Sequence, residues 1–133
     1  MTAPDIRWKQ RHQNFAKALS RLESAVHLED PDIFQKAGMI QFFEMTFELA
    51  WNCVKDILEA QGHQGILGPR AALKKGFEVG LLEDGHGWLD ALEGRNLTAH
   101  TYDEVRADSL VQQIRSTYLP LLQTLSRRLD TME

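Results

Sequence analysis

The chain has little of the residue types that hold small secreted or metal-bound domains together. Cys53 is the only cysteine among 133 residues, so an internal disulfide and a cysteine-rich zinc site are both excluded. Such cysteine usage fits a reducing compartment, and we expect a cytoplasmic location. No apolar run reaches the roughly 18 residues of a membrane span, and the polar start MTAPDIRWKQRHQ predicts no signal peptide.

Positively charged residues are also fewer than negatively charged ones. Lys and Arg total 15 against 19 Asp and Glu, which gives a net charge of −4. Domains that bind nucleic acid over a broad surface are usually basic, so this balance argues against a general polyanion binder but not against a small phosphate site. The hydrophobic fraction of 43% is enough for a core, and the length is that of a single domain, 1–133.

Proline and glycine are scarce, and helical periodicity dominates the chain. There are 4 prolines and 9 glycines, and no alternating run of β-branched residues predicts a strand. In the first segment, apolar residues recur with a period of about 3.6 and predict a helix over about 5–28, with Arg11 among its outward polar residues. The apolar positions are Trp8, Phe15, Leu19, Leu22 and Val26.

The second predicted helix has an unusually wide apolar arc. It is expected to begin at Asp30-Pro31, with Asp30 as the N-cap, and to run to about Gln61, where Gly62 ends it. The arc spans roughly 200° on a helical wheel, whereas one neighbouring helix needs only about 100°. This helix is therefore either central to a bundle or also part of a subunit interface.

The rest of the chain predicts three further helices. Pro69 opens a short helix to about Phe77, a fourth helix covers about 85–98, and a last helix covers about 102–131. Pro120 lies inside the last helix and is expected to kink it. The predicted fold class is all-α, an up-and-down four-helix bundle with a short extra connecting helix.

The segment from Arg95 to Glu104, RNLTAHTYDE, concentrates polar chemistry. Thr101 and Glu104 have capping-box spacing, which predicts a helix break near 99–101. Such a break would bring Arg95, His100 and Tyr102 together near a helix N-terminus, where free N–H groups favour an anion. Arg can hold a phosphate, and His can move protons near neutral pH. From spacing alone, the favoured interpretation is the ordinary one, in which these residues cap helices, pair with acids or cover apolar surface.

The same three residues resemble the signature of a known superfamily. Arg, four residues, His, one residue and Tyr is the pattern of HepT-type HEPN proteins, and Arg95, His100 and Tyr102 match it position by position. The likeness continues through FFEMTFELAWNCVKDILEAQG (42–62) and GPRAALKKGFEVGLLEDGHGWLDALEGRNLTAHTYDE (68–104). Over essentially its whole length, the chain resembles the nucleotidyltransferase substrate-binding protein family.

This resemblance implies a helical partner of a separate, small nucleotidyltransferase encoded nearby. Such proteins are typically homodimers built on a left-handed up-and-down four-helix bundle. One implied role is to bind the transferase and its nucleotide or other substrate. The other is a metal-independent ribonuclease toxin of a toxin–antitoxin pair, which the transferase silences by moving AMP onto Tyr102. No cofactor and no metal are expected in either role.

The resemblance also implies roles for individual residues. In a ribonuclease, His100 would be the general base or acid, Arg95 would stabilise charge on the phosphate, and Tyr102 would orient the phosphate and accept AMP. The candidate residues for binding substrate or partner are Glu48 in the FELAW stretch, Arg70 and Asn96.

Other polar residues are interpreted as structural or solvated. Glu44 and Glu48, four residues apart on one helical face, could be metal ligands or partner contacts, but a solvated stripe eased by Lys55 is favoured. Of the two, Glu48 is the one expected to line a dimer groove, since it belongs to the family-like FELAW stretch. Cys53 has no evident base and lies in the apolar arc, so it is expected to be buried. Four histidines without metal-ligand spacing are assigned to the surface: His12, His27, His63 and His86.

Overall fold

The fold, seen in a computed structural model that describes residues 3–100 and 103–132, is a bundle of helices. The helices are α1 (Ala3–Val26), α2 (Ile33–Ala60), α3 (Pro69–Glu78), α4 (Gly85–Asn96), α5 (Glu104–Gln113) and α6 (Leu119–Met132). A 3-10 turn (Thr98–His100) follows α4, and a π-helical segment (Ile114–Tyr118) joins α5 to α6. The all-α prediction is confirmed. In the described part of the chain, no helix is long and apolar enough to cross a membrane.

The central element of the bundle is α2. It packs along α1 and also contacts α3, α4, α5 and α6. Its Phe47 ring lies 6.1 Å from the ring of Trp88 on α4, and its Phe43 ring stacks on Tyr118 at 5.3 Å between centroids. Phe43 and Phe47 are fully buried. Because α2 has neighbours on several sides, its central position accounts for most of the wide apolar arc.

The start of α2 differs from the sequence prediction by two residues. Asp32, rather than Asp30, is the N-cap, because its carboxylate accepts a hydrogen bond from the Gln35 backbone N–H at 2.8 Å. The Gln35 side chain accepts in return from the Asp32 N–H at 2.9 Å, which completes a capping box. Asp30 adopts a left-handed turn, with φ of 49°. At the other end, Gly62, with φ of 93°, follows the helix as predicted.

The start of α5 also corrects a predicted cap. Asp103 is the N-cap, and its carboxylate accepts from the Val105 N–H at 2.9 Å. Glu104 is therefore the first helical residue and not the third, so the predicted capping box of Thr101 and Glu104 is wrong. Thr101 itself lies outside the described residues.

Pro120 lies directly after the π-helical segment. Proline has no N–H to donate and its ring crowds the carbonyl four residues earlier, so a regular α-helix cannot pass through it unchanged. The helical turn before Pro120 takes in one extra residue instead. The Leu119 N–H donates to the carbonyl of Ile114, five residues earlier. The disturbance that the sequence predicts at Pro120 thus takes the form of a π-helical turn.

One histidine assigned to the surface is buried. His12 of α1 is only 2% exposed, and its ring lies 6.3 Å from that of Trp8 and 6.5 Å from that of Phe15. Its Nε2 is 3.1 Å from the Asp130 Oδ1 on α6. The surface assignment of His12 is wrong, because spacings of four and three residues place it on the same helical face as Trp8 and Phe15.

A partly buried ion pair joins α1 to α2. Arg11, expected on the outward face, donates from Nε to the Asp56 Oδ2 at 2.7 Å, and Asp56 is 3% exposed. Cys53 lies nearby and is fully buried. Burial raises the pKa of its thiol to about 12, with Arg11 opposing and Asp56 adding to that change. The prediction of a buried Cys53 is confirmed.

Candidate functional site

The sequence predicts a helix break near 99–101, and the regular helix ends a few residues earlier than that. The helix α4 ends at Asn96, the 3-10 turn follows, and α5 starts at Glu104. The Leu97 N–H still bonds to the Glu93 carbonyl, which completes the last turn of α4. Both α2 and α4 contact the 3-10 turn. The break therefore places the end of α4 against the side of α2, at what we call the α4–α5 junction (residues 95–104).

Arg95 connects α4 to α2 at this junction. Its Nη1 atom lies 3.1 Å from the Glu48 Oε1, and its guanidinium carbon lies 5.8 Å from the centroid of the Phe47 ring. A cation above an aromatic face is favourable. The side chain is 24% exposed, whereas its Nε is buried without a hydrogen-bond partner among the described residues. Arg95 is thus held on α2 while part of it still faces solvent.

Glu48 pairs with this arginine and is itself hydrogen-bonded to a neighbour on α2. Its Oε2 accepts a hydrogen bond from the Trp51 Nε1 at 3.0 Å, while its Oε1 faces Arg95. Lys55, which was expected to ease its charge, is paired with Glu59 at 4.0 Å. The Glu48 side chain is 41% exposed, so it is partly solvated as expected, but it pairs with Arg95 of α4 and not with Lys55.

Glu44 makes a second contact with the junction, one helical turn before Glu48. The Thr98 hydroxyl donates to its Oε2 at 2.5 Å and lies 2.8 Å from the Arg95 carbonyl oxygen. Glu44 is half-buried, so it too is partly solvated while it contacts the junction. Beside this contact is a cavity of about 340 Å³, lined by Ala37, Ile40, Gln41, Glu44, Thr98 and Ala99.

The other predicted site residues are spread more widely. Arg70, in the first turn of α3, and Asn96, at the end of α4, are exposed, and neither has a hydrogen bond or ion pair to Arg95 in the described segments. Tyr102 lies outside the described residues, and only the backbone of His100 is described. The structure therefore brings Arg95 together with Glu48, and the grouping of His100 and Tyr102 with Arg95 stays a prediction.

The N-terminus of α5 is not a favourable anion site by itself. Its cap is the carboxylate of Asp103, and its first residue is Glu104. These negative charges oppose an additional anion at the positive end of the helix dipole. Arg95 is the feature of the described junction that favours a phosphate. Among residues 3–100 and 103–132, no group of three His, Cys, Asp or Glu side chains is placed to hold a metal ion.

Trp51 and Thr98 are site residues that sequence analysis missed. Its ring suits the apolar arc predicted for α2, but tryptophan is amphipathic, and a tryptophan three residues after a glutamate shares its helical face. That spacing was a usable signal for the contact with Glu48. Thr98 carried no such signal, because its contact with Glu44 depends on where α4 ends.

Comparisons with known proteins agree on one family. The family model described as nucleotidyltransferase substrate binding protein like matches residues 10–131. A Haemophilus influenzae protein named probable ribonuclease HepT is 33% identical over 82 residues, which are 59% of this chain and 56% of that protein. The match therefore spans little more than half the length of that relative.

Solved structures share the fold over most of the chain. A crystal structure of a Thermus thermophilus protein has a TM-score of 0.79 and 34% identity, covering 86% of this chain and 98% of that one. A Haemophilus influenzae structure, described as revealing the fold of a substrate binding domain of a nucleotidyltransferase, also has a TM-score of 0.79, at 28% identity. That match covers 90% of this chain and 98% of the other.

Proposed function

Because the chain belongs to the nucleotidyltransferase substrate binding protein like family, we propose that it is the partner subunit of a small nucleotidyltransferase encoded nearby. In this role it binds the transferase, and with it a nucleotide or another substrate, as a cytoplasmic homodimer. The family match over residues 10–131 carries the proposal.

The α4–α5 junction supports the nucleotide part of this role. A guanidinium that is fixed in place and partly exposed can pair with a phosphate, and Arg95 has both properties. The cavity beside Glu44 and Thr98 lies at the same junction, but Arg95 is not among the residues that line it. Asn96 and Arg70, both exposed, are candidates for further contacts with the substrate or the transferase.

The exposed face of α2 supports the homodimer. Phe34 is 82% exposed and Met45 is 40% exposed, and their spacing of 11 residues puts them about 20° apart around the helix. A second copy that covered this face would remove apolar surface from water. Light scattering should give the mass of two chains for the wild type and of one chain for Phe34→Glu with Met45→Glu. A wild-type chain of single mass at micromolar concentration would contradict the dimer.

Co-expression with the neighbouring nucleotidyltransferase tests the central role. An affinity tag on this chain should retain the transferase in a defined stoichiometry after washing at moderate salt. The matched control is an unrelated helical bundle with the same tag, which should retain none. Failure to form the complex, or the absence of any small nucleotidyltransferase gene nearby, would contradict the partner role.

A second candidate function is a metal-independent ribonuclease toxin, favoured by the relative named probable ribonuclease HepT. In this reaction the 2′-oxygen of RNA attacks phosphorus while the bond to the 5′-oxygen breaks. His100 takes the 2′-hydroxyl proton or supplies the proton to the 5′-oxygen, and Arg95 stabilises charge on the phosphoryl oxygens. The transferase would silence the enzyme by moving AMP from ATP to the Tyr102 hydroxyl, with release of pyrophosphate.

RNA cleavage by the purified chain tests this second function. Cleavage should be lost in His100→Ala and Arg95→Ala and kept in His27→Ala, a matched control at an exposed histidine. Cleavage that persists in both site variants would contradict the assigned residues. Incubation with the transferase and ATP should add AMP to the wild type and none to Tyr102→Phe, as measured by mass spectrometry.

A further inference from the structure

We propose that Phe47, Glu48 and Trp51 of α2 form an arginine cradle that positions Arg95 for a phosphate group. Within the cradle, Glu48 and Trp51 act as positioning residues. The phosphate as ligand rests on the proposed function, whereas the cradle is a property of the chain alone.

The two carboxylate oxygens of Glu48 serve two different partners. Its Oε1 lies 3.1 Å from the Arg95 Nη1, and its Oε2 accepts a hydrogen bond from the Trp51 Nε1 at 3.0 Å. A carboxylate held at both oxygens has little freedom to rotate. The position of the Glu48 charge is therefore set by Trp51, and that charge in turn sets the position of the guanidinium.

Phe47 supplies the floor of the cradle. Its ring lies below the guanidinium, with 5.8 Å between the ring centroid and the Arg95 guanidinium carbon. The ring cannot easily shift, because it is fully buried and packed against Phe43 and Trp88. Arg95 is thus held from one side by charge and from below by a rigid aromatic face.

The Nε of Arg95 indicates that this placement does not simply satisfy the arginine. The atom is buried without a hydrogen-bond partner among the described residues, which is unfavourable for an N–H group. The Nε of Arg115, which lies outside the junction, is buried without a partner among the described residues in the same way. The support for the cradle is therefore the contacts of Glu48 and Phe47 with the guanidinium, and not this donor.

A positioned arginine binds an anion with a smaller loss of entropy. The Arg95 side chain is 24% exposed, so part of the guanidinium remains accessible while its rotamer is fixed. A free arginine would have to be ordered when the phosphate binds, and that ordering would weaken the affinity. The cradle should therefore tighten binding without touching the phosphate itself.

Proton–nitrogen NMR of the full chain tests the cradle directly, because the Trp51 indole N–H and the Arg95 Nε–H give separate signals. In Glu48→Gln, one acceptor oxygen and the charge are lost, so both signals should move and the Arg95 Nε–H should lose its distinct shift. Affinity for AMP, used as the probe, should fall about two- to tenfold, as expected when one side chain must be ordered on binding. Trp51→Phe, which keeps an aromatic ring but removes the N–H, should give a smaller change in the same direction.

Glu59→Gln is the matched control, since Glu59 lies on the same helix and pairs with Lys55 and Arg7 rather than with Arg95. It should leave the Arg95 signal and the AMP affinity unchanged. An Arg95 Nε–H signal that is the same in the wild type, Glu48→Gln and Trp51→Phe would overturn the cradle. A different result is also informative: the Arg95 Nε–H signal is ordered and responds to both variants, but the wild-type chain does not bind AMP. That result would support the cradle and contradict the proposed nucleotide role.

Discussion

The α1–α2 pair and the α4–α5 junction use charged side chains in opposite ways. Between α1 and α2, Asp56 is 3% exposed and accepts directly from Arg11, so the buried acid is satisfied within the chain. At the junction, the side chains of Arg95 and Glu48 are 24% and 41% exposed, and the Arg95 Nε has no partner among the described residues. The first arrangement joins two helices, whereas the second leaves a fixed cation accessible to a ligand.

The largest loss in the free energy of unfolding should follow from removing a side chain of the core that supports both regions. Phe43→Ala removes a fully buried ring stacked on Tyr118, and we expect the free energy of unfolding to fall by about 3–5 kcal/mol. Denaturant unfolding measures this change. Leu67→Ala is the control, because Leu67 lies in the loop before α3 and is 93% exposed, so the expected change is within about 0.5 kcal/mol. Equal losses in the two variants would mean that the core is wrongly placed.

Removing one acid from each region tests the comparison itself. Asp56→Ala should lower the free energy of unfolding by about 2 kcal/mol, less than for a fully buried pair, because Arg11 keeps some contact with water. Glu48→Ala should lower it by no more than about 1 kcal/mol, since both partners are partly exposed. Denaturant unfolding of both variants measures the difference. A larger loss for Glu48→Ala would show that the junction serves stability and not a ligand.

Two glycine substitutions distinguish the packed side of α4 from the open side of α2. A Cβ at Gly94 would lie 2.6 Å from the Tyr118 ring, so Gly94→Ala should destabilise the chain by about 1–3 kcal/mol. A Cβ at Gly38 would meet no heavy atom within 4 Å, so Gly38→Ala should stabilise α2 by about 0.5–1 kcal/mol. Thermal unfolding measures both. A Gly94→Ala variant as stable as the wild type would contradict the described packing of α4.

The smallest expected effect is the slow labelling of Cys53, the buried thiol near the contact between α1 and α2. Because burial raises the pKa of Cys53 to about 12, only a very small fraction of it is thiolate at pH 8, and the thiol is also inaccessible. We expect a thiol reagent at pH 8 to react with the folded chain far more slowly than with the unfolded chain. Raising the pH should speed the reaction of the folded chain without a plateau below pH 10. Equally fast labelling of both forms would contradict the burial of Cys53.

Most of the helical architecture could be predicted because its signals are local. Pro69 and Gly62 mark helix ends through their own backbone preferences, and the spacing of Phe43 and Phe47 marks a buried face. The cap of α2 was misplaced because Asp30 and Asp32 both suit an N-cap, and only the backbone conformation decides between them. His12 was misassigned because its residue type suggested the surface while its helical spacing placed it inside.

The candidate site could be predicted only in part. The resemblance to the family identifies Arg95, and the FELAW stretch identifies Glu48, but neither says that the two residues are in contact. That contact is between residues 47 positions apart and depends on how α4 crosses α2. Trp51 was missed for a related reason, because a residue on an apolar stripe can still direct its one polar atom to a neighbour.

Titration of the wild type and Arg95→Ala with AMP tests the central claim most directly, namely that the α4–α5 junction is a ligand site. The backbone amide signals of residues 94–98 should shift saturably in the wild type. In Arg95→Ala these shifts should disappear, while the signals of α1 and of the first half of α2 stay those of the folded chain. Equal, saturable shifts in both proteins would contradict the role that we assign to Arg95, and an absence of shifts in the wild type would contradict a nucleotide site at the junction.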